Sequence, residues 1–514
     1  MGRRKMKKKM PPAKKTASPK GSSERKSLKV TSLNDKCLLK ICAYLEIDDL
    51  AHLAASCKRF IPVCMEIFEK QYQKMHFPIR VYEIYDEDKF ERYENMFTYF
   101  GKFIKKLRVE FDSSDHRDNK DMHNLIVEYC SATLTELHFI EMDKRMAIYR
   151  RFPRLTHLTL TQCHLSATVS HFEKWCPNLR SLELEMVQSV TNTACIERPL
   201  PKLEHFGLVN FIDCNFSNKN VRRFIKNNPQ LKGLRLCRDI FGMALKITTE
   251  YISYIDQMLP NLEALDVIYT HRSAPPACVH SNNIPPKFSN LKCLQMTCRS
   301  ADTLSAFMIP SKLIEKLSVD IEQGASESNL GYIMNCKELK SLTWCLNKEN
   351  EVKNVFKLSK NPAPLPRLTD LKLYVVYGLN EKSHKRCQVL ISIIDFMVHH
   401  KQLNSIVVGF QMTDNNKKFQ RAEIACCENC SKFVDTDQES SDDNSDGDEE
   451  AENSTPPKNV ADLGEILHPF TTVVEHKFNG AWKATFYIHK MPNKLIPVIE
   501  DVFICVAFKK NLIN

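Results

Sequence analysis

Apolar residues recur in one short pattern over most of the chain. The template LxxLxL, in which other apolar residues can replace leucine, occurs twelve times between residues 104 and 408. Successive copies start between 21 residues (Leu134 to Leu155) and 35 residues (Leu368 to Leu403) apart. Alternation of inward and outward side chains is typical of a β-strand, so each copy predicts one short strand. Stretches with helical spacing, such as 220–226, lie between the copies.

Such strands are stable only as a stack, because each one needs its neighbours to cover its apolar side. Most of the intervals lie in or near the roughly 20–29-residue period of leucine-rich repeats, and the array therefore resembles a leucine-rich-repeat solenoid. The resemblance implies an α/β horseshoe over residues 99–410. Cys163 and the segment Cys176-Pro177-Asn178-Leu179 resemble a cysteine-containing repeat subtype, in which thiols fill the narrow interior as small apolar groups.

The segment before the repeats has the pattern of three short helices. Apolar residues from Leu38 to Leu45 keep i, i+3, i+4, i+7 spacing on one stripe. Asp48 is placed to cap a second helix, and the apolar residues from Val63 to Phe68 predict a third. Three helices of this length bury little by themselves, so we expect a partner to complete their core.

The same segment, residues 31–76, resembles an F-box. Its spacing follows the family pattern LP..(I/L)L..I..YL...DL..L...CKRF, except that Asn34 stands where the family has proline. Asparagine also forms turns, so we expect altered docking at that point and not its loss. The resemblance implies binding to a Skp-family adaptor and, through it, to a cullin–RING scaffold. The residues that the resemblance places at the adaptor are Leu33, Leu38, Leu39, Ile41, Tyr44, Leu45, Asp49, Leu50, Leu53, Cys57, Lys58, Arg59 and Phe60.

Together the two resemblances imply the substrate receptor of an SCF-type ubiquitin ligase. The repeats would hold an unknown target protein near a ubiquitin-charged enzyme, and the chain itself would contribute no catalytic residue and no cofactor. Polar residues between the inward leucines are expected on the concave face, where their mixed charges suit a protein partner better than a polyanion. The candidate target-binding residues are Lys106, Arg108, Glu110, Glu136, His138, His157, Glu183, Glu185, Arg235, Asp266, Asp320, Lys372 and Tyr374.

Two other classes of function stay open. One is an interaction scaffold that binds the adaptor without promoting ubiquitin transfer. The other is a nuclear protein associated with chromatin or nucleic acid through its basic tail, for which steeply salt-dependent binding would be the sign.

The N-terminal tail, residues 1–30, has the composition of a disordered segment. Residues 1–29 hold twelve basic residues and one acid, so this tail carries the whole formal net charge of +11. The run 3–9 has the form of a nuclear import signal, and a solvated tail is the simpler interpretation. Nucleic-acid binding is not expected, because the tail offers no aromatic side chains for base stacking. We expect the protein in the nucleus, the cytoplasm or both.

Three further segments complete the predicted organisation. Residues 77–98 are assigned to a helical linker, 411–460 to a disordered acidic insertion, and 461–514 to a capping segment. The last contains Asn479-Gly480 between alternating apolar residues, which favours a hairpin. The apolar run 495–508 is expected to seal the open end of the stack.

Several classes of protein are excluded by composition. The 13 glycines are spaced too widely for the phosphate loops GxGxxG and GxxxxGK[ST] or for the hydrolase motif GxSxG. No apolar run is long enough to predict a membrane span. The 20 cysteines are scattered, which suggests free, mostly buried thiols in a reducing compartment. Cys426, Cys427 and Cys430 lack a convincing second ligand pair, so a loop with free thiols is favoured over a zinc site and no metal ligand is assigned.

Overall fold

A computed structural model describes residues 30–73, 75–81, 87–111, 116–142, 151–164, 171–187, 198–209, 218–236, 249–268, 288–298, 313–321, 333–360, 365–375, 383–411, 482–492 and 500–510. This part of the chain is mixed α/β, with one long sheet of 15 strands. The strands are β1 (His76–Arg80), β2 (Lys106–Glu110), β3 (Glu136–Ile140), β4 (His157–Thr161), β5 (Ser181–Glu185), β6 (His205–Val209), β7 (Gly233–Leu236), β8 (Ala264–Ile268), β9 (Cys293–Cys298), β10 (Lys316–Ile321), β11 (Ser341–Leu346), β12 (Asp370–Val375), β13 (Ser405–Gln411), β14 (Trp482–Pro492) and β15 (Glu500–Lys510).

Strands β1 to β13 lie side by side in chain order and pair in parallel. Parallel neighbours need a crossover connection, and helices supply it in several of the described connections. This order is compatible with a solenoid. The α-helices are α1 (Asp35–Cys42), α2 (Ile47–Ser56), α3 (Ile61–Tyr72), α4 (Glu87–Phe100), α5 (His116–Cys130), α6 (Phe172–Trp175), α7 (Asn218–Asn227), α8 (Thr249–Met258), α9 (Glu349–Lys360) and α10 (Ser383–His399).

The twelve LxxLxL copies coincide with the twelve strands β2 to β13. Their apolar residues share one face and meet in register, as Leu158, Leu182 and Phe206 do across β4, β5 and β6. These side chains are buried in one continuous core. The residues between them form the opposite face, called here the polar face of the sheet.

A shared carbonyl joins each repeat to the next. The Lys105 carbonyl accepts hydrogen bonds from the N–H groups of both Thr135 and Glu136, and the Thr135 carbonyl accepts from both Thr156 and His157. The same arrangement recurs down the sheet, at the residue that precedes each strand. Because both donors come from the following repeat, these backbone groups are satisfied only when repeats are stacked.

Side chains at this same position alternate in charge over seven consecutive repeats. Lys292 Nζ lies 3.1 Å from Glu263 Oε2, and Lys340 Nζ lies 2.8 Å from Glu315 Oε2. Exposed pairs of this kind each contribute little stability. Their order nevertheless favours pairing of each strand with the next one along the chain, because a pairing that skipped one repeat would bring like charges together. The row is Arg180, Glu204, Lys232, Glu263, Lys292, Glu315 and Lys340.

The N-terminal helices pack directly on the start of the sheet. Phe68 of α3 is fully buried and stacks on Phe100 of α4 and on Phe77 of β1, with ring centroids 4.5 and 5.6 Å apart. The core of the N-terminal helices therefore continues within the chain into α4 and β1, and its completion by a partner stays a prediction. The assignment of 77–98 to a helical linker also differs from the structure, in which β1 covers its start and joins the sheet.

Helix starts and the C-terminal end show two further differences from expectation. Helix α2 begins at Ile47 after the cap position Glu46, so Asp48 lies inside its first turn and is not the cap.

Strand β15 pairs antiparallel with β13, and β14 pairs with β15, so a hairpin extends the sheet at its end. Strand β14 begins two residues after Gly480; residues 412–481, with the acidic insertion and the predicted turn, lie outside the described residues.

Most of the described cysteines are buried, as the composition suggested. Cys163 and Cys176 lie in the core of the repeats, and burial raises the pKa of both thiols to about 12. Thiols with such pKa values stay protonated and act as small apolar groups. None of the helices in the described part is long and apolar enough to cross a membrane.

The aromatic stack around Phe68 predicts that the N-terminal helices and the sheet unfold together. Phe68→Ala should lower the free energy of unfolding by about 3–5 kcal/mol, since it removes a fully buried ring and leaves a cavity. Chemical denaturation followed by circular dichroism would measure this. Tyr44→Ala, at an exposed position, should change stability by less than about 0.5 kcal/mol. A separate early transition for the helices alone would contradict a shared core.

Candidate functional site

Three of the residues expected at the adaptor are instead part of the chain's own core. Leu38, Leu50 and Phe60 are buried among the N-terminal helices. They hold the helices together and are almost wholly buried in the chain alone, so contact of these three side chains with an adaptor stays a prediction.

The remaining residues of that set lie at or near the surface. Tyr44 is 90% exposed and Ile41 is 47% exposed, although both are large and apolar. Arg59 is exposed too, but its guanidinium donates to the Leu33 carbonyl at 2.7 Å. The half-buried members are Leu33, Leu39, Leu45, Leu53 and Cys57, and the exposed members are Ile41, Tyr44, Asp49, Lys58 and Arg59.

Asn34 has a clear structural role at the start of α1. Its Oδ1 accepts a hydrogen bond from the Cys37 N–H at 2.9 Å, which makes it the N-cap of the helix. Asparagine is among the best residues at this position, because its side chain satisfies an amide that has no partner within the helix. The substitution of the expected proline therefore keeps a defined turn here.

The candidate target-binding residues all lie on the polar face, in three rows that run across the strands. Lys106, Glu136 and His157 belong to the row at the start of the strands. The middle row and the row at the strand ends hold the others. The middle row contains Arg108, His138, Glu183, Arg235, Asp266 and Lys372, and the end row contains Glu110, Glu185, Asp320 and Tyr374.

Two members of the end row are buried, contrary to expectation. Tyr374 is 3% exposed, between Cys345 and Gly409 in the neighbouring strands. Asp320 is 8% exposed, and its Oδ1 accepts from Asn347 Nδ2 at 2.7 Å. The Asn347 backbone N–H is held in turn by a buried carboxylate, Glu351 Oε2, at 2.7 Å. This loop satisfies the Asp320 carboxylate internally.

The charges at the N-terminal end of the polar face largely pair with each other. Lys106 Nζ lies 2.7 Å from Glu136 Oε1, and His76 Nε2 lies 3.2 Å from the other oxygen of that carboxylate. His138 contacts Thr161 Oγ1 at 3.0 Å, and Thr161 donates to Glu185 at 3.2 Å. With its proton directed to Glu185, the Thr161 hydroxyl can only accept from His138. This order is the reverse of what activates a hydroxyl nucleophile, for which histidine must accept the proton.

The centre of the polar face is organised around Arg235. Its Nη1 donates to Glu183 Oε1 at 2.6 Å, and its Nε donates to Asp266 Oδ2 at 2.9 Å. Glu183 reaches it across β6 because the intervening residue is Gly207, where a Cβ atom would lie 3.1 Å from Glu183 Cγ. On the same face, Gly233 leaves room for the ring of His205.

Gly207, Gly233 and His205 were missed as functional candidates. The only signal in the sequence is that glycine stands at outward positions of the LxxLxL pattern in two successive repeats. These small residues help to form a trough of about 430 Å³ along the polar face from β5 to β11.

Metal binding has no support in the part of the chain that the structure describes, where no group of three or more His, Cys, Asp or Glu side chains could hold an ion. Cys426, Cys427 and Cys430 lie outside the described residues.

The environment of His138 predicts an acid-sensitive fold. Burial, followed by the nearby Arg108, lowers the pKa of His138 to about 4. Between pH 4 and the ordinary value near 6.5, the unfolded chain therefore binds the proton that the folded chain excludes, and stability falls as pH falls. On acidification from pH 7 to pH 5, the wild type should lose about 1 kcal/mol more than His138→Gln, after discounting for solvent screening.

Denaturant titrations at the two pH values would measure this difference, and an NMR titration of the imidazole would locate its midpoint. A midpoint near 6.5 in the folded protein would show that the ring is accessible to protons and would contradict the prediction.

Comparison with known proteins assigns no family to the chain. No family model matches the sequence, and no curated protein matches it.

Proposed function

We propose that this chain is the substrate-recognition subunit of an SCF-type E3 ubiquitin ligase. The N-terminal helices act as an F-box that binds a Skp-family adaptor, and the polar face of a leucine-rich-repeat sheet binds the target protein. The chain contributes positioning: it holds a target lysine near a ubiquitin-charged enzyme and so raises the effective concentration of the reactants. Ubiquitin transfer itself takes place on the partners.

The observation that carries this proposal is a pair of exposed apolar side chains, Ile41 and Tyr44, at the end of the first helix. Six large apolar residues are well exposed in the described part of the chain, and four of them, Val30, Ile41, Tyr44 and Met75, belong to or flank the N-terminal helices. Ile41 and Tyr44 also match the F-box pattern. Exposed apolar side chains only three positions apart, as Ile41 and Tyr44 are, favour a protein interface more than scattered ones do.

Rigid attachment of the helices to the sheet supports the same function. A receptor that presents a target at a fixed place needs a stiff connection between its two binding surfaces. The stack of Phe68 on Phe77 and Phe100 provides it, because rings from α3, β1 and α4 share one core. A packed core of this kind leaves the helices little freedom to move relative to the sheet.

Substitution of the exposed apolar pair tests adaptor binding. Ile41→Asp combined with Tyr44→Asp should weaken binding to a Skp-family adaptor by roughly ten- to a hundredfold, because buried charges without partners cost about 1–3 kcal/mol. Leu50 is unsuitable for this purpose, since it is fully buried and its replacement would disturb the fold. Binding would be measured by isothermal calorimetry with the purified adaptor.

The matched control is Val398→Asp, which places the same charge on a side chain that is 41% exposed on α10, far along the chain from the helices. Its affinity for the adaptor should equal that of the wild type. If the double variant binds as tightly as the control, residues 31–76 are only a helical cap.

Target turnover separates a ubiquitin receptor from a scaffold. Proteins captured by the full chain while the proteasome is blocked should have longer half-lives in cells that express the Ile41→Asp, Tyr44→Asp variant instead of the wild type. Unchanged half-lives, with adaptor binding intact in the wild type, would show that the chain binds the adaptor without promoting ubiquitin transfer.

A further inference from the structure

The trough on the polar face has a floor of small residues. Gly207, Gly233, Ala264 and Ser318 stand at outward positions of β6, β7, β8 and β10, and all four line the cavity. The sheet is therefore open to an occupant over several neighbouring strands.

Arg235 lies in this trough with two of its N–H groups held by carboxylates. The hydrogen bonds to Glu183 and Asp266 lie in the guanidinium plane, because all N–H bonds of a guanidinium lie in that plane. The arginine side chain is still 42% exposed and lines the cavity. The two carboxylates fix the orientation of the guanidinium plane, and a stacking partner would use its flat face.

Charge balance decides which chemistry fits this face. Glu183 and Asp266 together outweigh the charge of Arg235, and Lys316 at the side of the trough restores neutrality. An anionic ligand at Arg235 would meet two carboxylates, and a cationic ligand would meet the guanidinium and Lys316. A neutral aromatic ring meets neither obstacle, because its negative face is attracted to a guanidinium at stacking distance.

We propose that the trough binds an extended segment of the target protein and that an aromatic side chain of that segment stacks on Arg235. The trough crosses six strand spacings, or about 29 Å at ~4.8 Å each, which matches roughly nine residues of extended chain. The proposal deepens the proposed function, since it names the feature that the target must carry.

Panning of random nonapeptides displayed on phage against the purified full chain tests the proposal. Enriched peptides should share an aromatic residue at one position, and replacement of that residue by alanine should abolish enrichment. Affinity of a synthetic consensus peptide would then be measured by fluorescence anisotropy. Arg235→Lys keeps the charge but removes the planar face, and it should weaken binding about tenfold.

Ser318→Phe gives a second test that leaves Arg235 and both carboxylates in place, because it fills the trough from β10. It should weaken binding at least as much. Lys226→Ala is the matched control: Lys226 is exposed on helix α7 and does not line the trough, so its loss should leave affinity unchanged. Thermal unfolding of each variant would verify that it is folded.

Three outcomes would overturn the proposal: enrichment of acidic or basic peptides without an aromatic residue, equal affinity for wild type and Arg235→Lys, and equal affinity for wild type and Ser318→Phe. Because panning needs no adaptor, it fails independently of the proposed function. A chain that binds aromatic peptides but no Skp-family adaptor would keep this inference and lose the assignment to a ubiquitin ligase.

Discussion

Each strand of the sheet depends on its neighbour for both hydrogen bonds and apolar cover. The carbonyl before one strand accepts two N–H groups from the next repeat, and the leucines of one strand pack in register on those of the next. A single repeat satisfies neither requirement, so stability belongs to the stack. Its two ends need other solutions. Helices with the Phe68 stack cover one end, and the hairpin of β14 and β15 pairs with the other.

The polar face consists of the side chains that this stacking leaves outside the apolar core. Outward side chains in one row are neighbours in register, so charges from consecutive repeats, or from repeats separated by a glycine, meet and neutralise each other. Lys106 with Glu136, and Arg235 with two carboxylates, are examples. A face whose charges are already paired selects partners by shape, planarity and hydrogen bonding more than by net charge. The sequence alone suggested a face of separate charged side chains, each available to a protein partner.

The pattern of the sequence was sufficient for the strands β2 to β13, because alternate burial is a local property. Strand β1 was missed because His76-Phe77-Pro78-Ile79-Arg80 contains a proline, which normally argues against a strand. At the edge of a sheet one side of the strand has no partner, so the missing N–H does little harm.

The sequence pattern could not predict contacts between residues that are distant in the sequence. The pair of Arg235 and Glu183 spans 52 residues and exists because Gly207 lies between them in register. Burial of Asp320 depends on a loop held by Glu351. Spacing could place all of these residues on one strand or another, but it could not show which side chains would reach each other.

The alternating charges before the strands restrict how the stack can change in length. From Arg180 to Lys340 each member has the opposite sign to its neighbours. Loss of one repeat within this stretch would set two like charges side by side on adjacent strands, whereas loss of two successive repeats would leave the alternation intact. Within this row, repeats can therefore be inserted or deleted without electrostatic conflict only in pairs. The sheet grows strand by strand, but the charge pattern repeats only with every second strand.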